Sequence, residues 1–216
     1  AIKVAKSDDL VTQFAEEIKI LTIPAKILLY LVLLYGKKNI SLIREMFVKV
    51  QTAFFEKTKF EGSLFAFELK GQEDHRIQRL GERIPVYRFS HPTYEEALIG
   101  LAEKDSVCAL IVETSLTAIL KEDDSIATEI FRRYVTRYPK FLESIMTDVL
   151  KIDFDSFTEP AKLDLTRRML LSKYENFEKT AREIYPIEKV VKALSEGEDG
   201  QLFILRLRTL NRRRDE

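Results

Sequence analysis

Apolar residues recur along this chain mostly with the 3.6-residue period of a helix, and in one place with the two-residue period of a strand. Leu10, Phe14, Ile18 and Leu21 share one face and predict a helix over residues 8–20, with Ser7 or Asp8 as its cap. Pro24 suits the first turn of a second helix, where a missing N–H costs nothing. Residues 27–35 are apolar nearly all round, so this helix should be the most buried, and Gly36 stops it. Leu42, Ile43, Met46, Phe47 and Val50 form the stripe of a third helix. That helix, or a separate one, continues through Phe54 and Phe55 toward Phe60, and Gly62 ends it.

The short aromatic run LFAFEL, residues 64–69, reads as a strand. Polar residues 70–83 read as an exposed loop. Val86, Arg88 and Ser90 then alternate with Tyr87, Phe89 and His91, which predicts a half-buried strand. Pro92 ends it, and Thr93, Glu95 and Glu96 supply helix-start chemistry. His91 and Pro92 stand at the joint between that strand and the next helix.

Beyond residue 93 the pattern is helical throughout. Tyr94, Ala97, Leu98 and Leu101 face inward on one helix, and Asp105 caps the next, lined by Val112, Leu116, Ile119 and Leu120. Asp123, Asp124 or Ser125 caps a third, with Ile126, Ile130, Phe131 and Tyr134 inward. Pro139 starts a fourth, striped by Phe141, Leu142, Ile145, Met146, Val149 and Leu150. Pro160 starts a fifth through Leu163, Leu170 and Tyr174; Phe177, Ala181 and Ile184 mark a sixth. Pro186 starts a seventh with Ile187, Val190, Val191 and Leu194. Residues 201–214 fit either a helix or a strand. Short connectors predict antiparallel neighbours in a helical array. The fold class expected is mostly α: a winged-helix domain with an N-terminal helix over residues 1–103, then an all-α array over 104–216.

Composition narrows the function classes. The chain has 216 residues, 45% hydrophobic and 32% charged, with 35 basic and 35 acidic residues and a formal net charge of +0. Such a balance excludes a surface that is wholly a nucleic-acid footprint but leaves room for a local basic patch. A single cysteine excludes an internal disulfide framework and fits a reducing, cytoplasmic setting. Cys108, within VCALIV, reads as a core residue. The apolar run 27–35 is too short to span a bilayer, so no membrane partner is expected.

No G-x-x-x-x-G-K-[ST] phosphate loop occurs, and two histidines with one cysteine offer no zinc-site spacing. Asp153 and Asp155 read as a helix-start cluster rather than a cation site. The chain is therefore expected to hold no self-contained active site and no cofactor of its own. Lys49, Lys57 and Lys59, where a winged helix carries its recognition helix, and Arg76, Arg79 and Arg83, in the loop that would be its wing, are the candidate DNA contacts. Glu56, Glu61, Glu73, Asp74 and Glu82 lie among them, so any DNA binding should be weak. Arg206, Arg208, Arg212, Arg213 and Arg214 form a further basic cluster near the C-terminus.

The stretch YRFSHPTYEEAL, residues 87–98, resembles the close of the winged-helix domain in STAND-type NTPases, the signal-transduction NTPases with numerous domains. EGSLFAF, residues 61–67, resembles the preceding strand of that domain, and the likeness extends over about residues 23–101. His-Pro at this joint is found in archaeal and bacterial members; the immunity members carry Asp where this chain has Pro92. The resemblance implies a regulatory region whose winged helix packs on a nucleotide-binding core and whose helical array binds a protein partner or signal. It also implies that His91 reaches ADP bound to that core and holds a closed state. ADP or ATP would thus enter only through a core that this sequence does not contain. The residue-level reading leaves one alternative, a free-standing winged-helix transcription regulator with a helical dimerisation or effector domain. It also leaves open that His91 only caps the following helix.

Overall fold

The computed structural model describes residues 7–36, 40–58, 62–73, 75–81, 85–172 and 174–195, with side chains left undescribed at 7–8, 147–153 and 193–195. The described chain is mostly helical, with eleven α-helices and one two-stranded antiparallel hairpin. It divides into two compact units, Ala1–Glu122 and Asp123–Glu216.

The first unit is built around α2 (Ile23–Tyr35), in which every residue from Pro24 to Tyr35 is buried. The Thr22 hydroxyl accepts from the Ala25 N–H at 3.3 Å, Pro24 fills the first turn, and Gly36 closes the helix at φ 65°. Around it pack α3 (Ile40–Thr58), α4 (Phe65–Gln72), α6 (Ser106–Glu122) and the strand β2 (Val86–Phe89). The Tyr30 hydroxyl donates to the Leu98 carbonyl at 2.9 Å, fastening α2 to α5 (Thr93–Lys104). A turn-forming Asp105 joins α5 to α6: its N–H closes α5 on Leu101, and its carboxylate accepts from the Cys108 N–H at 2.9 Å. Cys108 is fully buried, and burial pushes its thiol pKa up, as befits an inert core residue. The remaining helix, α1 (Ser7–Lys19), packs mainly on α5.

Three expectations fail here. Residues 64–69 do not form a strand; Phe65–Gln72 is α4. Its buried residues are Glu68 and Gln72, four apart, with Leu64 and Phe67 exposed, so the burial period is that of a helix. Ala66, Glu68, Leu69 and Lys70 are good helix formers, and they outweigh the strand preference of the two phenylalanines. Nor is 70–83 a loop, because it holds the end of α4 and then β1 (Ile77–Leu80). The strand β1 pairs antiparallel with β2, Ile77 opposite Phe89 and Leu80 opposite Val86. The hairpin is continued by the Ser90 N–H bonding the Arg76 carbonyl at 2.8 Å and turns at Gly81, φ 79°. Leu42, assigned to the inner stripe of α3, is exposed, while Ile43, Met46, Phe47 and Val50 are buried as the spacing requires.

The compact division falls later than the expected 103/104. The helix α6 belongs with the first unit because Cys108, Ile111, Val112, Leu116, Ile119 and Leu120 are buried, and α6 packs on α2, α3 and α5.

The second unit holds α7 (Ser125–Tyr134), α8 (Pro139–Asp153), a 3-10 turn over Phe154–Ser156, α9 (Glu159–Leu170), α10 (Glu175–Ile184) and α11 (Ile187–Ser195). Aromatic rings fill its core: Phe131 meets Phe177, Tyr134 meets Phe141, and Phe154 meets Tyr185, all edge-on. Most inward faces are those the spacing predicts. Leu163 is only half-buried, with Leu165 taking the core position, and Tyr174 lies past the end of α9 at the cap of α10. Val149, Leu150, Leu194 and the segment 201–214, with its arginines, lie outside the described side chains.

Candidate functional site

The joint between β2 and α5 is where the candidate chemistry gathers. Pro92 takes helical angles, φ −57° and ψ −29°, so the chain turns from strand to helix within one residue. The ring of His91 serves that turn, since its Nδ1 accepts from the Thr93 N–H at 3.2 Å. Its carbonyl accepts from the Tyr94 N–H at 3.1 Å. Two of the N–H groups that a helix start leaves without intrahelical partners are thereby satisfied. The ring itself is exposed, and with Nδ1 engaged as an acceptor, Nε2 is the nitrogen left to donate.

From α1, Phe14 reaches over this joint. Its ring stacks on Tyr94 with centroids 4.0 Å apart and planes 7° apart, and meets the His91 ring edge-on at 5.8 Å. One turn further along α1, the Glu17 carboxylate accepts from the Tyr94 hydroxyl at 3.2 Å and lies 3.9 Å from Arg76 Nη2. Burial, then the charge of Glu17, raises the Tyr94 phenol above its ordinary pKa. Arg76 Nη1 donates to Gln72 Oε1 at 3.1 Å, while its Nε is buried with no hydrogen-bond partner among the described residues. Glu17, Gly71, His75, Arg76 and Tyr94 line an open polar cleft of about 480 Å³. Behind it the Tyr87 hydroxyl donates to Glu73; burial and that carboxylate push the phenol up to about 12.

Among the described candidate DNA contacts, Lys49, Lys57 and Arg76 each face a carboxylate of this chain. Lys49 bonds Glu122 at 2.7 Å and Glu45 at 2.9 Å, and the hydrogen bond to Glu122 leads in raising its pKa. Lys57 lies 3.7 Å from Glu113. Arg76 turns into the cleft toward Glu17, and Arg79 stands exposed on β1. Lys59 and Arg83 lie outside the described residues.

A second feature was hidden in the sequence. Gln51 grips the backbone of Ser63 at both ends of its amide, donating at 2.9 Å and accepting at 2.7 Å. A Cβ on Gly62 would stand 3.2 Å from Gln51 Oε1, so this close approach favours glycine. The clamp leaves an open groove of about 500 Å³ between α3 and the start of α4, with Val48, Phe55 and Leu64 on its walls. Val48, Phe55, Leu64 and nearby Phe67 are 57%, 51%, 79% and 72% exposed. The clue was present in the exposed i, i+7 pair Val48 and Phe55, off the inner stripe of α3. The clue at Leu64 and Phe67 was masked by the strand assignment.

Among the described residues no group of three or more His, Cys, Asp or Glu side chains could hold a metal ion. No described helix is long and apolar enough to cross a membrane. No protein-family model matches the chain, nor does any curated protein or solved structure.

Proposed function

We propose that this chain is the regulatory, protein-binding region of a STAND-type NTPase. In this reading the first unit is a winged-helix module that docks on a nucleotide-binding core, and the helical second unit receives a partner or signal. The observation that carries it is the exposed apolar groove of Val48, Phe55 and Leu64 between α3 and the start of α4, where a winged helix that reads DNA would present its recognition surface. Phosphate recognition needs unspent cations there. Lys49 and Lys57 are instead already paired with carboxylates of this same chain. The order of helices, hairpin and helix also supports the winged-helix assignment, with α4 standing where a strand was expected.

His91 would act at the nucleotide. Its Nδ1 is spent on the start of α5, so Nε2–H is the group that would donate to a phosphate oxygen of ADP on the core. Such a contact biases a switch only by favouring one state over the other. The test is His91→Ala in a protein carrying both this chain and its core. We expect faster ADP loss, with this chain alone losing no more than about 1 kcal/mol of stability, as for an exposed helix cap. Unchanged ADP retention would refute the role of His91. The chain alone should neither bind ATP tightly nor turn it over, and anisotropy with duplex DNA should show only weak, salt-sensitive, non-specific binding. A specific DNA site bound at nanomolar strength would replace this reading with that of a transcription regulator.

A further inference from the structure

The helix α1 is attached differently from the other helices of the first unit. Each of α2, α3, α5 and α6 packs on at least two other helices, whereas α1 lies mainly along α5 alone. Among its described side chains Ile18 alone is fully buried; Leu10, Val11, Phe14, Ala15 and Glu17 are half-buried. The connection to α2 is short and water-facing, with Ile20 85% exposed. Lys26 Nζ donates to the Lys19 carbonyl at 2.9 Å and tacks down only the last turn. The rest is held by packing on α5, which includes the Phe14 stack on Tyr94 and its edge contact with His91, and by the Glu17 bonds to Tyr94 and Arg76.

Undocking α1 breaks its packing on α5 and so costs less than opening α2, α3 or α6, each of which packs on several elements. Few of its apolar side chains leave a fully buried site, and hydrophobic stabilisation scales with the area removed from water. The Tyr94 hydroxyl and the Arg76 guanidinium border an open cleft, so water can replace Glu17. Segments with few buried apolar contacts open at free energies well below that of global unfolding. We infer that α1 is a strap over the β2–α5 joint, which opens as a unit while the rest of the first unit stays folded, uncovering Tyr94 and the flank of His91. Docked, it holds the His91 ring against Phe14; open, it leaves that ring fixed only through its bond to Thr93. The strap is a property of this chain's own packing and stands whether or not a nucleotide-binding core is its partner.

The experiment is hydrogen exchange by mass spectrometry on the whole chain, paired with nitration of Tyr94 by tetranitromethane. Amides of residues 10–19 should exchange at least about tenfold faster than those of α2, a gap that corresponds to about 1.4 kcal/mol. Phe14→Ala should speed exchange in 10–19 by about tenfold more and raise nitration of Tyr94, with Tyr134, buried in the second unit, unaffected. Glu17→Gln keeps the packing and removes the charge, so it should give a smaller increase confined to the same residues. Two results would overturn the strap. One is exchange in 10–19 as slow as in α2. The other is a Glu17→Gln variant that loosens α2, α3 and α6 together with α1, which would make α1 part of the core.

Discussion

Asp105 shows how much one side chain can do. It ends α5 through its backbone and starts α6 through its carboxylate, with no other residue between the two helices. The Cys108 N–H is the main cause that holds the Asp105 carboxyl below its ordinary pKa. A carboxyl whose folded pKa is depressed stabilises the fold above its unfolded value, about 3.9, and loses that contribution as pH falls through the folded value. Asp105→Ala should cost about 1 kcal/mol in urea denaturation at pH 7. The gap between wild type and variant should close as the pH drops below about 3.9. A gap that persists undiminished at pH 2 would show that the carboxylate is not the cap. Residues of this kind were legible in the sequence, because capping is local: Pro24, Gly36 and Asp105 each act within four residues of themselves. The pairing of Glu17 with Tyr94 was not, since 77 residues separate them and nothing in either neighbourhood names the other.

At the scale of elements, α7 read correctly because its apolar face is one-sided, and α2 because its apolar run is unbroken. The region between α3 and β2 read badly for a definite reason. An eight-residue helix offers barely two turns of pattern, and its inner face is polar, made of Glu68 and Gln72. The strand β1 buries only Ile77, so its alternation is hidden among arginine and glutamine. The apolar residues that made 64–69 resemble a strand, Leu64 and Phe67, face solvent. This has a measurable consequence. Phe55→Ser together with Phe67→Ser should leave stability within roughly 1 kcal/mol, since each substitution at an exposed site usually shifts it by less than about 0.5 kcal/mol. A loss of about 3 kcal/mol or more, the cost of emptying a core aromatic site, would mean that these rings are buried in solution.

For the whole molecule, the two units are the useful divisions. Residues 1–122 expressed alone should fold cooperatively with helical circular dichroism, because α6 completes that core. A piece ending at residue 103 should not, having lost the helix that covers α2 and α3. If the shorter piece melts as sharply as the longer one, α6 is dispensable and the division lies earlier. The sequence does not announce the 122/123 division. No Pro-, Gly- or Ser-rich linker marks it, only the turn in which the Asp123 carboxylate accepts from Ser125.

The burial of α2 on all sides bears on how the protein is made. A helix with one wet face can wait for its partners; α2 has none to offer water from Pro24 to Tyr35. It leaves the ribosome before α3, and well before α6, whose last residue is Glu122. At synthesis rates of about 5–20 residues per second, its apolar circumference stays uncovered for roughly 4–17 s. During that interval it is the segment of the first unit most exposed to chaperone capture and to association between nascent chains.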